Sequence, residues 1–168
     1  MSKSKIAGNL TAEKFEFVIV EPVPCPAEEV ETHIRAFIEQ FIANDIQPRW
    51  LELLVEKPFG KAGQPSTGSK HLKHRRSAEK LLDRFAFHGN HQHCALLKGT
   101  QAWPLSLRRL FGDARGVYFD LTSEPCKMTA AEAATKAFES YAILSFDAGQ
   151  KALLFDHEGA VWWCAKPR

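Results

Sequence analysis

The stretch from Tyr141 to Ala165, YAILSFDAGQKALLFDHEGAVWWCA, constrains the fold more than any other part of the chain. Three short apolar runs are divided by two turn signals, Asp147-Ala148-Gly149-Gln150 and His157-Glu158-Gly159. Runs of this length, broken by glycine beside polar residues, pair as consecutive antiparallel hairpins. Taken by faces, Tyr141, Ile143, Ser145, Leu153, Phe155, Trp162 and Cys164 are expected on one side of this meander. Ala142, Leu144, Phe146, Ala152, Leu154, Val161, Trp163 and Ala165 are expected on the other. Both sides are apolar at their centres, whereas a sheet with one wet face alternates cleanly. Helices can cover one face; the second needs other parts of the chain, a second copy or a partner. Trp162 and Trp163 are neighbours and point to opposite sides, so an indole on an open face would be an interface anchor. Helices on both sides of the sheet are the alternative.

A chain of 168 residues that is 45% apolar and 25% charged, with twelve Phe and four Trp, has material for one core. One globular domain over residues 1–168 is expected, with residues 1–10 a candidate disordered tail. The polar N-terminus has no signal-peptide core, and no run approaches the roughly 20 apolar residues that span a bilayer. These features predict a cytoplasmic protein without membrane attachment. Cys25, Cys94, Cys126 and Cys164 are scattered, with no Cys-x-x-Cys pair, and read as free thiols in a reducing compartment.

The remaining elements follow in order. Phe15 to Val20 has strand composition, and the proline run of residues 21–26 then predicts a break in pairing. Pro26 can open a helix whose stripe is Val30, Ile34, Phe37, Ile38, Phe41 and Ile42. Further helical turns are expected from Pro48 to Val55, ending at Pro58. Residues 58–70 form a Gly/Ser/Pro-rich mobile loop, and a third helix, basic at its start, docks through Ala78, Leu81, Leu82 and Phe85. An irregular histidine-rich segment leads into a strand at Cys94–Leu97. A short helix from Pro104 to Gly112 and a strand over Val117–Leu121 come next. Thr129 and Glu132 have capping-box spacing ahead of a helix with Ala130, Ala133, Ala134, Ala137, Phe138 and Tyr141 on one face. The sum is an α+β domain with a mainly antiparallel sheet of five or six strands and about five helices.

Three surfaces bear on function. Eight Lys/Arg between Lys57 and Arg84 against two acids give that segment a net +6, leaving −4 on the rest of the chain. Lys73, Arg75 and Arg76 are its candidate contacts, either to a phosphate backbone or to an acidic protein partner. Aromatic interleaving for base stacking is missing between Lys61 and Arg84, which leaves a plain solvated helix face as the alternative. His88, His91, His93 and Cys94 are candidate zinc or copper donors, against a polar turn that happens to hold histidines. Asp156-His157-Glu158 places acid, base and acid together, but at a hairpin turn where polar residues serve conformation.

No Gly-x-Ser-x-Gly, phosphate-loop, His-Glu-x-x-His or dinucleotide fingerprint occurs, and no cofactor is expected. The leading expectation is a non-enzymatic domain that binds a protein partner or a second copy of itself. Such a domain would sequester or neutralise its partner as bacterial immunity and antitoxin-like proteins do, with Trp162, Trp163, Arg75, Arg76 and Lys73 as contacts. The near-neutral charge counts against an inhibitor of a strongly basic nuclease. A nucleic-acid-binding protein using residues 57–84 is the alternative, and a small metal-dependent hydrolase or nuclease is a third.

Overall fold

Seven strands, each pair of neighbours antiparallel, form one sheet in the computed structural model, which describes residues 22–56, 69–97, 103–138 and 140–167. The expected strand at 15–20, the tail at 1–10 and most of the loop at 58–70 lie outside the described residues. The strands are β1 (Val23–Pro24), β2 (Cys94–Leu97), β3 (Arg115–Asp120), β4 (Cys126–Thr129), β5 (Ala142–Phe146), β6 (Lys151–Phe155) and β7 (Val161–Ala165). They lie in the order β1-β4-β3-β5-β6-β7-β2. The helices among the described residues are α1 (Ala27–Phe41), α2 (Gln47–Leu51), α3 (Ser69–Asp83), α4 (Phe85–His88), α5 (Trp103–Phe111) and α6 (Ala130–Lys136). A π-helical turn, Glu52–Glu56, continues α2. The α+β class and the C-terminal meander are therefore present, with more strands than the sequence suggests.

Two strands account for the surplus. The proline run does not stop all pairing: Val23 and Pro24 sit opposite Lys127 and Cys126, outermost in the sheet among the described residues. An edge strand needs backbone donors on one side only, so proline is tolerated there. β4 is short, but it alternates buried Cys126 and Met128 with half-buried Lys127 and Thr129. Thr129 then caps α6 directly. Its hydroxyl accepts the Glu132 N–H at 3.3 Å while the Glu132 carboxylate accepts the Thr129 N–H at 2.7 Å.

Helices close both faces of the sheet. On one side α1 to α4 bury Phe37, Phe41, Trp50 and Phe85 against Val117, Phe119, Ile143 and Leu154. On the other, α5 and α6 cover Tyr118, Leu144, Phe146, Leu153 and Phe155. The strand phases differ from the expectation at β6. Four residues separate Phe146 from its partner Lys151, so even positions of β5 pair with odd positions of β6. Ala152 and Leu154 thus join Ile143 and Ser145, while Leu153 and Phe155 join Ala142 and Leu144. Five residues separate Phe155 from its partner Val161, which keeps parity and leaves β7 as expected.

The first hairpin presses against α1. Asp147, Ala148 and Gly149 have φ of 49°, 52° and 90°, three left-handed residues in succession. A Cβ on Gly149 would stand 2.5 Å from Ala36 Cβ and 2.8 Å from the His33 carbonyl. Gln40 Nε2 donates to the Gly149 carbonyl at 3.1 Å and seals the contact. Beneath it, the buried His33 Nδ1 and Ser145 Oγ are hydrogen-bonded at 2.9 Å. Burial lowers the His33 pKa below the ordinary imidazole value, so neutral His33 is favoured there.

Candidate functional site

The thinner cover on the α5/α6 side leaves a groove of about 760 Å³. Its walls are the start of α5 (Trp103, Pro104), the end of α6 (Ala134, Thr135, Ala137, Phe138) and the β6–β7 hairpin. Each wall has a local cause. Pro104 stands at the second position of α5, where its missing N–H would have no partner anyway. Trp103 Nε1 donates to the Gly159 carbonyl at 2.8 Å and ties the helix start to the hairpin tip. Gly159 has φ +83° with open space beside it, a conformation that favours glycine. The Asp156 carboxylate accepts the N–H groups of Glu158 at 3.0 Å and Ala160 at 2.8 Å, which shapes the turn.

Phe138 is the principal apolar group here, and the sequence places it wrongly. Helical spacing puts it with Ala130, Ala133 and Ala137 on the buried face. The helix instead ends at Lys136, and Phe138 stands 76% exposed. No glycine or proline marks that end. Leu110 is 66% and Leu105 50% exposed on α5, which packs beside α6.

At the hairpin tip, Tyr141 Oη donates to Asp83 Oδ1 at 2.9 Å and lies 2.6 Å from His157 Nδ1. Burial, then the Asp83 hydrogen bond, raise the Tyr141 pKa above the usual phenol range. A phenol held protonated is not a base. Its single proton goes to Asp83, so it accepts from the His157 Nδ1–H. The trio fastens the end of α3 to the last hairpin.

The other sequence-predicted residues are dispersed. Trp162 is half-buried, its ring 5.5 Å from Phe85; half-buried Trp163 lies 5.0 Å from Phe111. Each indole is thus lodged between the sheet and a helix, one on each side, and neither lies on an uncovered sheet face. Exposed Lys73, Arg76 and Lys80 on α3, with Arg84 just past its end, recur at helical spacing as one outward stripe. Arg75, also exposed, is paired with Glu79 at 2.9 Å.

The histidine segment diverges. Trp50 Nε1 donates to His88 Nδ1 at 3.2 Å, and burial, with Arg84 nearby, lowers the His88 pKa. His91 is exposed, whereas Cys94 faces the α1 side of the sheet. Among the described residues no three of His, Cys, Asp or Glu come together as metal donors. No helix among them is long and apolar enough to cross a membrane. Compared with known protein families, curated proteins and solved structures, the chain matches none of them.

Proposed function

We propose that the chain is a non-enzymatic protein-binding domain that receives an apolar segment of a partner in the groove between α5, α6 and the β6–β7 hairpin. The observation that carries this reading is Phe138, 76% exposed at the groove wall, with Leu110 and Leu105 exposed on the adjoining helix. A large apolar side chain in a concave, mostly apolar site contributes most when a partner desolvates it. Two polar groups at the rim are engaged within the chain, Asp156 by the turn and His157 by Tyr141. In this reading the domain acts by occupying its partner, as immunity and antitoxin-like proteins do, and the partner is another protein or a second copy.

The test is capture of partners from the native host with wild type, Phe138→Glu and Leu110→Glu, with Leu72→Glu on α3 as the exposed control. Sedimentation of the isolated protein addresses the second copy. Loss of one species, or of a dimer, in the first two variants alone supports the groove. Equal recovery and equal sedimentation for every variant sink it.

A second reading rests on the outward stripe of Lys73, Arg76 and Lys80 on α3 with Arg84 just past its end, which suits a nucleic-acid backbone. Arg76→Ala with Lys80→Ala would then weaken binding to DNA or RNA and flatten its salt dependence. Absence of any complex at low salt removes this reading.

A further inference from the structure

Two cysteines, one on β2 and one on β7, belong to neither surface. β2 meets β7 in the register Cys94↔Cys164. The Ala165 N–H donates to the His93 carbonyl at 2.9 Å, which makes that flanking pair the hydrogen-bonded one. The Cys94 N–H turns away to the Asn90 carbonyl at 3.0 Å. By alternation Cys94 and Cys164 form a non-hydrogen-bonded pair, the class whose Cα atoms stand about 4.5 Å apart with side chains closest. That distance lies within the range of about 4.4–6.8 Å over which a disulfide closes.

Both side chains point to the α1 side of the sheet, 7% and 0% exposed. Cys94 Sγ reaches the Phe41 carbonyl at 3.8 Å, and both thiols are free. A hydrogen bond with Cys164 holds the Cys94 pKa below the ordinary thiol value; burial, and then Cys94 itself, raise that of Cys164. Cys94 is the nearer of the two to solvent, on β2, whose Ala95 and Leu96 are exposed. The other two cysteines are not matched in this way. Cys25 packs on the α1 side and Cys126 on the α6 side, and burial raises the pKa of each, Cys25 to about 11.

We propose that Cys94 and Cys164 form an oxidisable dithiol, a modification site at which a hydroperoxide closes a cross-strand disulfide between β2 and β7. The Cys94 thiolate attacks the terminal oxygen of the hydroperoxide. The O–O bond breaks, the departing alkoxide or hydroxide takes up a proton, and Cys94 becomes a sulfenic acid. The Cys164 sulfur then attacks that sulfur. The S–S bond forms and water leaves, carrying the sulfenic hydroxyl and the Cys164 proton. In sum the two thiols give up two electrons and two protons, and the hydroperoxide is reduced to an alcohol (or water) and water. A thiol reductant reverses the closure by exchange. The bond would staple β2, outermost in the sheet among the described residues, to the meander.

The experiment exposes the reduced, folded full chain to hydrogen peroxide or an alkyl hydroperoxide. Free thiols are then alkylated, and peptides are mapped by mass spectrometry without reductant. The expected product is one linked peptide pair containing Cys94 and Cys164, separated by dithiothreitol, with Cys25 and Cys126 still alkylated. The thermal midpoint should rise on oxidation and return on reduction, and Cys94→Ala and Cys164→Ala should each lose that shift. The wild-type peptide map stands whether or not those variants fold. Recovery of Cys94 and Cys164 alkylated alongside the other two, linkage to Cys25 or Cys126, or arrest at a sulfinic acid on Cys94 overturns the proposal.

Discussion

The two faces of the sheet are closed in different ways. On the α1 side, α1, α2 and α4 carry Phe37, Trp50 and Phe85, whose rings lie 6.1–6.4 Å from one another, with Trp162 joining Phe85 at 5.5 Å. On the other side α6 lies close to the sheet through Ala130, Ala133 and Ala137, and α5 buries Leu107. Large rings reach across the sheet and cover it. Small residues let a short helix approach closely, but its ends then leave the sheet margin and its own flanking residues open. The groove and exposed Phe138 follow from that second arrangement. One face packs helix aromatics as a cluster around Phe85; the other leaves Phe138 exposed beside the groove.

The largest expected effect is in the aromatic layer. Trp50→Ala should cost about 3–5 kcal/mol, since the ring is fully buried among three other aromatic rings. Leu107→Ala on the thin side should cost about 2–3 kcal/mol, because a short surface helix can settle into the cavity. Urea denaturation of both variants measures the difference; equal losses would remove the contrast between the faces.

The two hairpin glycines sharpen it. Gly149→Ala combines a left-handed backbone with a Cβ 2.5 Å from Ala36 Cβ, and should cost about 2 kcal/mol or more. Gly159→Ala carries the backbone cost alone, about 1 kcal/mol, because nothing lies near its Cβ position. If the two variants melted together, the pressure of the first hairpin on α1 would be absent.

What was legible in the sequence was local. The meander, the α1 stripe and the Thr129/Glu132 box each depend on residues within a few positions of one another, and each is present. The phase of β6 was not legible, because it depends on whether the loop after Phe146 spends four or five residues. Nor was β1, which exists through a partner about a hundred positions away rather than through its own composition, nor β4, a four-residue strand that pairs with nearby β3. The same limit governs the candidate site. Phe138 is exposed because α6 stops a residue or two early, and Tyr141 meets Asp83 across 58 positions. The tryptophan anchor supposed an open sheet face; both indoles are instead half-buried, Trp162 beside Phe85 and Trp163 beside Phe111.

Acid should act through the aromatic side, with a smaller effect. His33 and His88 both have pKa values lowered chiefly by burial, so the unfolded chain binds protons more readily than the folded one. Their contribution is present above the unfolded imidazole pKa of about 6.5 and is lost as pH falls below it. The thermal midpoint should therefore drop on acidification from neutral pH, and His33→Gln with His88→Gln should flatten the drop. An unchanged pH profile in the double variant would shift the cause elsewhere, for instance to Glu29, whose pKa is lowered by Lys127.

The smallest expected change in stability is at Phe138. Its ring is 76% exposed, so Phe138→Ser removes little buried area and should alter unfolding by no more than about 0.5 kcal/mol. If the groove binds a partner, the same change should weaken that complex by about 2 kcal/mol, roughly thirtyfold in Kd. Titration with the captured partner, run beside a melt of the same sample, reads both quantities at once. A stable variant with unchanged affinity removes Phe138 from the interface. A destabilised one assigns it to the core, and the thin face would then be as closed as the aromatic one.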